Sequence, residues 1–178
     1  MKNRQEVILA GSGGQGLIMA GILLAETGMN EGKNVVQTQS YGIASRGGFS
    51  SSEVIISDDE IIFQHVEDPD VIVVLSQEAM EIYDGFDTTI IYDSDLVTPG
   101  KGNNRFGAPF TKAAFELGNP ASINIIFLGC LLQLKPVVDP AKFAAVVDKK
   151  FKSNRNNEKA LQKGVELGNM LKEAMAKC

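Results

Sequence analysis

Apolar and polar positions fall in blocks that predict strands and helices in turn. Val7, Ile8, Leu9 and Ala10 form a short continuous apolar run, which predicts a buried strand over residues 6–10. Residues 15–30 then carry Leu17, Ile18, Ile22, Leu23, Ala25 and Met29 at near-helical spacing. Gly32 is placed to end that helix. Residues 35–38 begin a second strand, so strand, helix and strand within ~30 residues make a βαβ unit.

The rhythm then changes. Residues 39–50 are polar and glycine-rich, which reads as a long loop, and long loops in compact domains are usually functional. Residues 51–57 read as a strand, and Asp58-Asp59 turns the chain toward residues 60–63, its expected hairpin partner. No helix separates those two, so at least one strand runs antiparallel and the sheet is mixed. Residues 71–75, Val-Ile-Val-Val-Leu, have the β-branched apolar character of a central parallel strand. Ser76 is placed to cap a helix over 77–83, and 88–92 form the next strand. Residues 93–107 read as a polar loop, and 109–117 as a helix stopped by Gly118. Residues 121–134 form a nearly all-apolar, buried helix. Beyond Pro136, residues 141–151 and 159–177 complete the helices, the last one amphipathic. The expected fold is α/β, one three-layer α/β/α Rossmann-like domain over residues 1–178 with a mostly parallel, mixed sheet.

The turn after the first strand sharpens the picture. Gly11-Ser12-Gly13-Gly14-Gln15-Gly16 puts four glycines in six positions at the head of a helix. Glycine permits tight turns and close approach, and a helix N-terminus presents unpaired N–H groups and a positive dipole end. That combination receives anions. Gly11, Gly13 and Gly16 also satisfy the G-x-G-x-x-G spacing of dinucleotide-binding folds. Such folds place a carboxylate near the end of the second strand for the ribose hydroxyls. Here that strand runs into Thr38-Gln39-Ser40, with no Asp or Glu between Glu31 and Glu53. No Lys-Ser/Thr follows the glycines, so the turn is not a P-loop.

The 178 residues suffice for a real core. With 17 basic and 22 acidic side chains the formal charge is −5, and without a basic stripe nucleic acid is not an expected partner. The longest apolar run is far short of the ~20 residues that span a bilayer. The N-terminus lacks the character of a signal peptide, so the expected location is the cytoplasm, with no membrane partner. Cys130 and Cys178 make no C-x-x-C pair, so no metal site is expected. His65, the single histidine, has no nucleophile signature around it, and Asp58-Asp59 and Asp93/Asp95 read as solvated turns. No catalytic residue is expected on this chain.

A second glycine-rich loop follows the second strand of the βαβ unit. In a parallel sheet it would share an edge with the first, where such folds bind ligands. It carries Tyr41 and Arg46 beside Gly47-Gly48, and a guanidinium on a flexible glycine pair suits a phosphate or carboxylate. The pairing of Gly11-Ser12-Gly13-Gly14-Gln15-Gly16 with Ser40-Tyr41-Gly42 and Arg46-Gly47-Gly48 resembles the gamma subunit of 2-oxoacid:ferredoxin oxidoreductases. The likeness extends through Asn119, Asn124, Leu128 and Gly129 to Asn157-Glu158-Lys159-Ala160-Leu161 and Gly164. It looks most like gamma chains of the 2-oxoglutarate synthase type, with branched-chain 2-oxoacid enzymes next.

The resemblance implies a non-autonomous subunit of an enzyme that oxidatively decarboxylates a 2-oxoacid, joins the acyl group to coenzyme A and passes electrons to ferredoxin. Its partners would be alpha and beta subunits, with a delta chain in some assemblies, and ferredoxin through the complex. Thiamine diphosphate, Mg2+ and iron–sulfur clusters would belong to the other subunits, leaving no firmly held cofactor here. Coenzyme A phosphates, or the alpha-subunit interface, would meet Gly11, Gly13, Gly14, Gln15, Gly16, Tyr41, Arg46, Gly47 and Gly48. Two other readings stay open: a free-standing Rossmann-type NAD(P) or flavin oxidoreductase, and a purely structural subunit.

Overall fold

A computed structural model describes residues 3–42, 47–152 and 154–176. Among the described residues six strands form one sheet: β1 (Arg4–Ser12), β2 (Asn34–Tyr41), β3 (Phe49–Ser57), β4 (Val71–Val74), β5 (Thr89–Asp93) and β6 (Arg105–Ala108), in the order β2-β3-β1-β4-β5-β6. Parallel pairing joins β1, β4, β5 and β6. β3 is antiparallel to both β1 and β2, so it alone runs against the rest. The mixed, mostly parallel α/β sheet is the expected one.

The antiparallel strand enters differently from the expectation. Residues 60–63 form no strand, because both hydrogen-bonding edges of β3 are already filled by β1 and β2. The segment instead returns toward β4, held by carboxylates. Glu6 Oε2 accepts from the N–H groups of Glu67 (3.0 Å) and Asp68 (3.1 Å), and Glu53 Oε2 accepts from Val66 N–H (3.1 Å). The polar stretch 39–50 is also largely strand, since β2 reaches Tyr41 and β3 begins at Phe49.

The helices are α1 (Leu17–Asn30), α2 (Gln77–Tyr83), α3 (Phe110–Glu116), α4 (Ile123–Leu134, led by a 3-10 turn at Pro120–Ser122), α5 (Pro140–Lys150) and α6 (Arg155–Met175). On one face, Val7, Leu9, Val54, Ile56, Val73 and Ile91 pack under α1, α3, α4 and α5. The other face carries Ile8, Ala10, Ile72, Val74 and Ile90 under Ala79, Met80 and Tyr83 of α2, with Val97 from the loop after β5. The two helical layers are therefore unequal, and the thick one supports the glycine loop.

Two local expectations fail for identifiable reasons. Residues 93–107 are not wholly a loop, because β6 begins at Arg105. This short strand contains Gly107, where a Cβ would stand 2.6 Å from the Tyr92 ring of β5. Asp93 is fully buried rather than a solvated turn. Its Oδ2 accepts from Thr111 N–H (3.1 Å) and Thr111 Oγ1–H (2.5 Å), closing the head of α3, which lacks a side-chain cap of its own. Burial raises its pKa against the lowering effect of those bonds.

α4 is buried from Ile123 through Leu132, each full burial of a large apolar side chain contributing about 1.5–3 kcal/mol. It meets α6 at close range: a Cβ on Gly164 would stand 2.2 Å from the Ile126 carbonyl oxygen and 3.0 Å from Gly129 Cα. Both obstacles are backbone, so a methyl group must push the helices apart. Gly164→Ala is expected to lower stability by about 2–3 kcal/mol, read as a drop in the urea midpoint at unchanged slope.

Candidate functional site

The carboxyl ends of β1, β2 and β4 meet at one edge of the sheet. After β1 the chain leaves over the thick face as α1, and after β4 it leaves over the other face as α2. The point between β1 and β4 is thus the topological switch point, where open α/β sheets keep a ligand crevice. Here Gln15 spans it. Its Oε1 accepts from Ser12 N–H at 2.7 Å, and its Nε2 donates to the Leu75 carbonyl at 2.9 Å. Leu75 N–H in turn donates to Ala10 O at 2.9 Å. The side chain closes the turn on itself and ties it to β4.

Gly11 is buried in β1, and its lack of a side chain serves that bridge. A Cβ there would stand 2.3 Å from Gln15 Oε1 and 3.0 Å from Leu75 Cβ. Gly16 is the N-cap of α1 at φ 74° and ψ 20°, with no side-chain cap and no acidic residue in the first turn. Gly14 has φ +97° and nothing within 4 Å of a Cβ. Gly13 and Gly14 are exposed, as is Gly47.

The two glycine loops touch. Gly13 N–H donates to Gly48 O at 2.9 Å, and Gly42 N–H donates to Phe49 O at 2.7 Å, closing the base of the hairpin. The fold thereby joins Gly13, Gly14, Gly16, Gly47 and Gly48 around the start of α1. Tyr41 pairs with Ser50 in the ladder, 66% exposed. Arg46 lies outside the described residues. Gln15 belongs to the site as its internal brace, since both ends of its amide are spent on the chain.

Asn124 is a further residue at this edge, and the sequence reading did not count it among the site residues. It is buried at the start of α4, with Nδ2 3.1 Å from where a Cβ on Gly16 would stand. A single polar residue at the head of an otherwise apolar helix was the available signal. Elsewhere the chemistry is sparse. The Cys130 thiol is pushed up to about 12 by burial. His65 is almost fully exposed, with Nδ1 3.8 Å from Glu53 Oε2. Among the described residues no three His, Cys, Asp or Glu side chains converge as a metal site would need, and no helix is long and apolar enough to cross a membrane.

A model of the pyruvate ferredoxin/flavodoxin oxidoreductase family matches residues 6–167. The chain belongs to that family. Over 173 residues it is 42% identical to the 2-oxoglutarate synthase subunit KorC of Archaeoglobus fulgidus, covering 94% of this chain and 90% of that protein. The crystal structure of the keto/oxoacid ferredoxin oxidoreductase gamma subunit from Geobacter sulfurreducens PCA superposes with a TM-score of 0.81 at 34% identity, covering 94% and 98% of the two chains. The 2-oxoglutarate:ferredoxin oxidoreductase from Magnetococcus marinus, solved with 2-oxoglutarate, coenzyme A and succinyl-CoA bound, shares the fold. Its TM-score is 0.85 at 24% identity, and this chain spans 32% of that longer one. The chain is accordingly a gamma subunit of a 2-oxoacid:ferredoxin oxidoreductase.

The Gln15 bridge has a measurable signature. Gln15→Ala leaves the Ser12 N–H and the Leu75 carbonyl without their partner and is expected to cost about 1–3 kcal/mol. Gly11→Ala also destabilises, partly by displacing Gln15. In a double-mutant cycle the Gly11→Ala penalty is expected to shrink in the Gln15→Ala background, the remainder coming from Leu75 Cβ. Urea unfolding of the four proteins reads the coupling directly.

Proposed function

We propose that this gamma subunit serves an enzyme that oxidatively decarboxylates 2-oxoglutarate, transfers the acyl group to coenzyme A and passes electrons to ferredoxin. Residues 1–178 act in it as one gamma-type domain. The similarity to the 2-oxoglutarate synthase subunit supports the choice of substrate. In this reading the chain works in the cytoplasm against alpha and beta subunits, with a delta chain where the clusters are carried separately.

The glycine loops receive an anionic group of coenzyme A. The observation that carries this is the Gly13–Gly48 hydrogen bond, which sets both glycine loops around the uncapped N-terminus of α1. Exposed Gly13, Gly14 and Gly47 let a ligand approach the main chain, and Arg46, next to Gly47 in sequence, supplies the charge. The donor set fits a phosphate: backbone amides at a helix N-terminus with no carboxylate in the first turn. Thiamine diphosphate, Mg2+ and iron–sulfur clusters find no comparable fit among the described residues. Those offer no converging carboxylates and a single buried thiol, so this reading assigns the three groups to the partner chains.

A nicotinamide or flavin site is disfavoured by the same geometry. Gln15 hydrogen-bonds across the switch-point crevice, and β2 ends in Gln39-Ser40-Tyr41 without a ribose-binding carboxylate.

Arg46→Ala in the assembled enzyme is expected to raise the KM for coenzyme A about tenfold, the scale of a lost hydrogen bond to a charged group. The KM for the 2-oxoacid should stay within about twofold. An unchanged coenzyme A dependence would instead support a purely structural subunit. Native purification should bring thiamine- and cluster-bearing chains along with this one. A chain that runs alone and binds NAD at micromolar strength (about −8 kcal/mol) would overturn the reading.

A further inference from the structure

Residues 58–70, between β3 and β4, leave the sheet and return close to where they left it. Asp58 N–H donates to Asn3 O and Asp70 N–H donates to Glu6 O, each at 2.8 Å, so both ends of the segment are tied to the beginning of β1. A surface loop closed at its base in this way is an Ω-loop, a form that is frequently functional. Carboxylates hold it from inside. The buried Glu6 takes the Glu67 and Asp68 amides, and Glu53 takes the Val66 amide. Val66 packs against the smaller core, the one that α2 covers. At the other end Asn34 Nδ2 donates to the carbonyls of Asp58 (3.3 Å) and Asp59 (3.2 Å).

The outer side of this braced loop is apolar. Ile62 is 80% exposed and Phe63 is 67% exposed, side by side and in no helix or strand. Single exposed apolar residues are ordinary. Two large ones in succession on a loop fixed at both ends are not needed by the fold, since neither joins a hydrophobic core. The charge around them has one sign. Asp58, Asp59, Glu60, Glu67 and Asp68 are exposed, and residues 58–70 contain no Lys or Arg. Among the described residues Lys33, 2.8 Å from Asp58, is the one cation paired with this fringe.

An apolar pair ringed by acids fits an apolar pocket ringed by Lys and Arg. It does not fit a second copy of this chain, because a two-fold contact sets the same patch against itself and would press the acidic fringe onto its own image. The backbone bonds order the loop beforehand, so docking loses little conformational freedom, and buried aromatic anchors carry much of the affinity of an interface. We propose that the 58–70 loop is a docking knob for another subunit of the enzyme, with Ile62 and Phe63 entering an apolar pocket whose rim is basic. The proposal rests on the reading that this chain works against partner subunits.

The full-length chain is titrated calorimetrically into its assembled partner subunits at low and at high salt, with urea midpoints as the control for folding. The expected result is a Kd raised about thirtyfold by Phe63→Ser, the size of a hot-spot residue, at an unchanged midpoint because the ring is exposed. Asp59→Lys combined with Glu60→Lys is expected to weaken binding at low salt and to matter less at high salt, where rim charges are screened. If Phe63→Ser binds within about twofold of the wild type, the knob is overturned while the reading of partner subunits stands. If the wild-type chain binds no partner subunit, both fail. A lysine pair that binds like the wild type at low salt overturns the basic rim and the proposal with it. Sedimentation of the isolated chain tests the second copy: a dimer that Phe63→Ser dissolves makes that copy the occupant and overturns the proposal. Should Phe63→Ser lower the midpoint, Ile62→Lys takes its place. A loss of affinity of about tenfold or more there supports the contact, and a smaller one overturns it.

Discussion

The primary amide of Gln15 takes the Ser12 N–H on one side and gives an N–H to the Leu75 carbonyl on the other. With those two bonds it fixes the path of the turn, the starting point of α1 and the distance between the ends of β1 and β4. Gly11 must lack a side chain for the amide to reach Ser12, and Gly16 must adopt φ 74° for the helix to begin directly after it. A G-x-G-x-x-G spacing therefore arises here from the needs of an internal brace. The Gln15 amide crosses the crevice a dinucleotide would enter, and Gly13 N–H turns the other way, to Gly48 O.

Placement of β3 brings those two groups together. In a doubly wound sheet the strand beside β1 would be parallel and its following loop would lead into a helix. Here an antiparallel strand is inserted, so the end of β2 and the start of β3 lie at the same edge as the glycine loop. Gly13 and Gly48 can then bond directly. The surface formed this way is carried by the thick helical layer, in which α4 is buried and α6 rests on it through Gly164.

What could be read from the sequence was what local chemistry decides. The glycine turn, the Ser76 cap with its bond from Ala79 N–H, and the all-apolar α4 each carry their cause within a few residues. Residues 60–63 have strand-like composition, yet strand formation needs a free neighbouring edge, and β1 and β2 had taken both. The Arg105–Ala108 strand is too short and glycine-containing to signal itself, and exists because β5 offers a parallel edge. Asp93 looked like a turn residue because the helix it caps begins many positions later. The bracing role of Gln15 was not visible, since its partner Leu75 is distant in sequence. Asn124 carries no local signal of its own, and only packing against Gly16 distinguishes it from any other polar residue at a helix start.

The candidate site offers neutral backbone donors, with Arg46 next to Gly47 in sequence, and the thiol and the buried carboxylate of the described chain lie elsewhere. The Cys130 thiol is buried, and Asp93 is occupied with the head of α3. Such a site can bind and orient but cannot itself break a carbon–carbon bond or carry electrons. It suits a ligand whose anionic handle and reacting end are far apart, because the handle can be held by one polypeptide while the chemistry proceeds on another. Coenzyme A is built that way, with its phosphates at one end and its thiol at the other. A gamma subunit that grips the phosphates would raise the local concentration of the thiol at a partner's active centre, which is an effect of proximity alone. The division of labour among separate chains then follows from the ligand's own length.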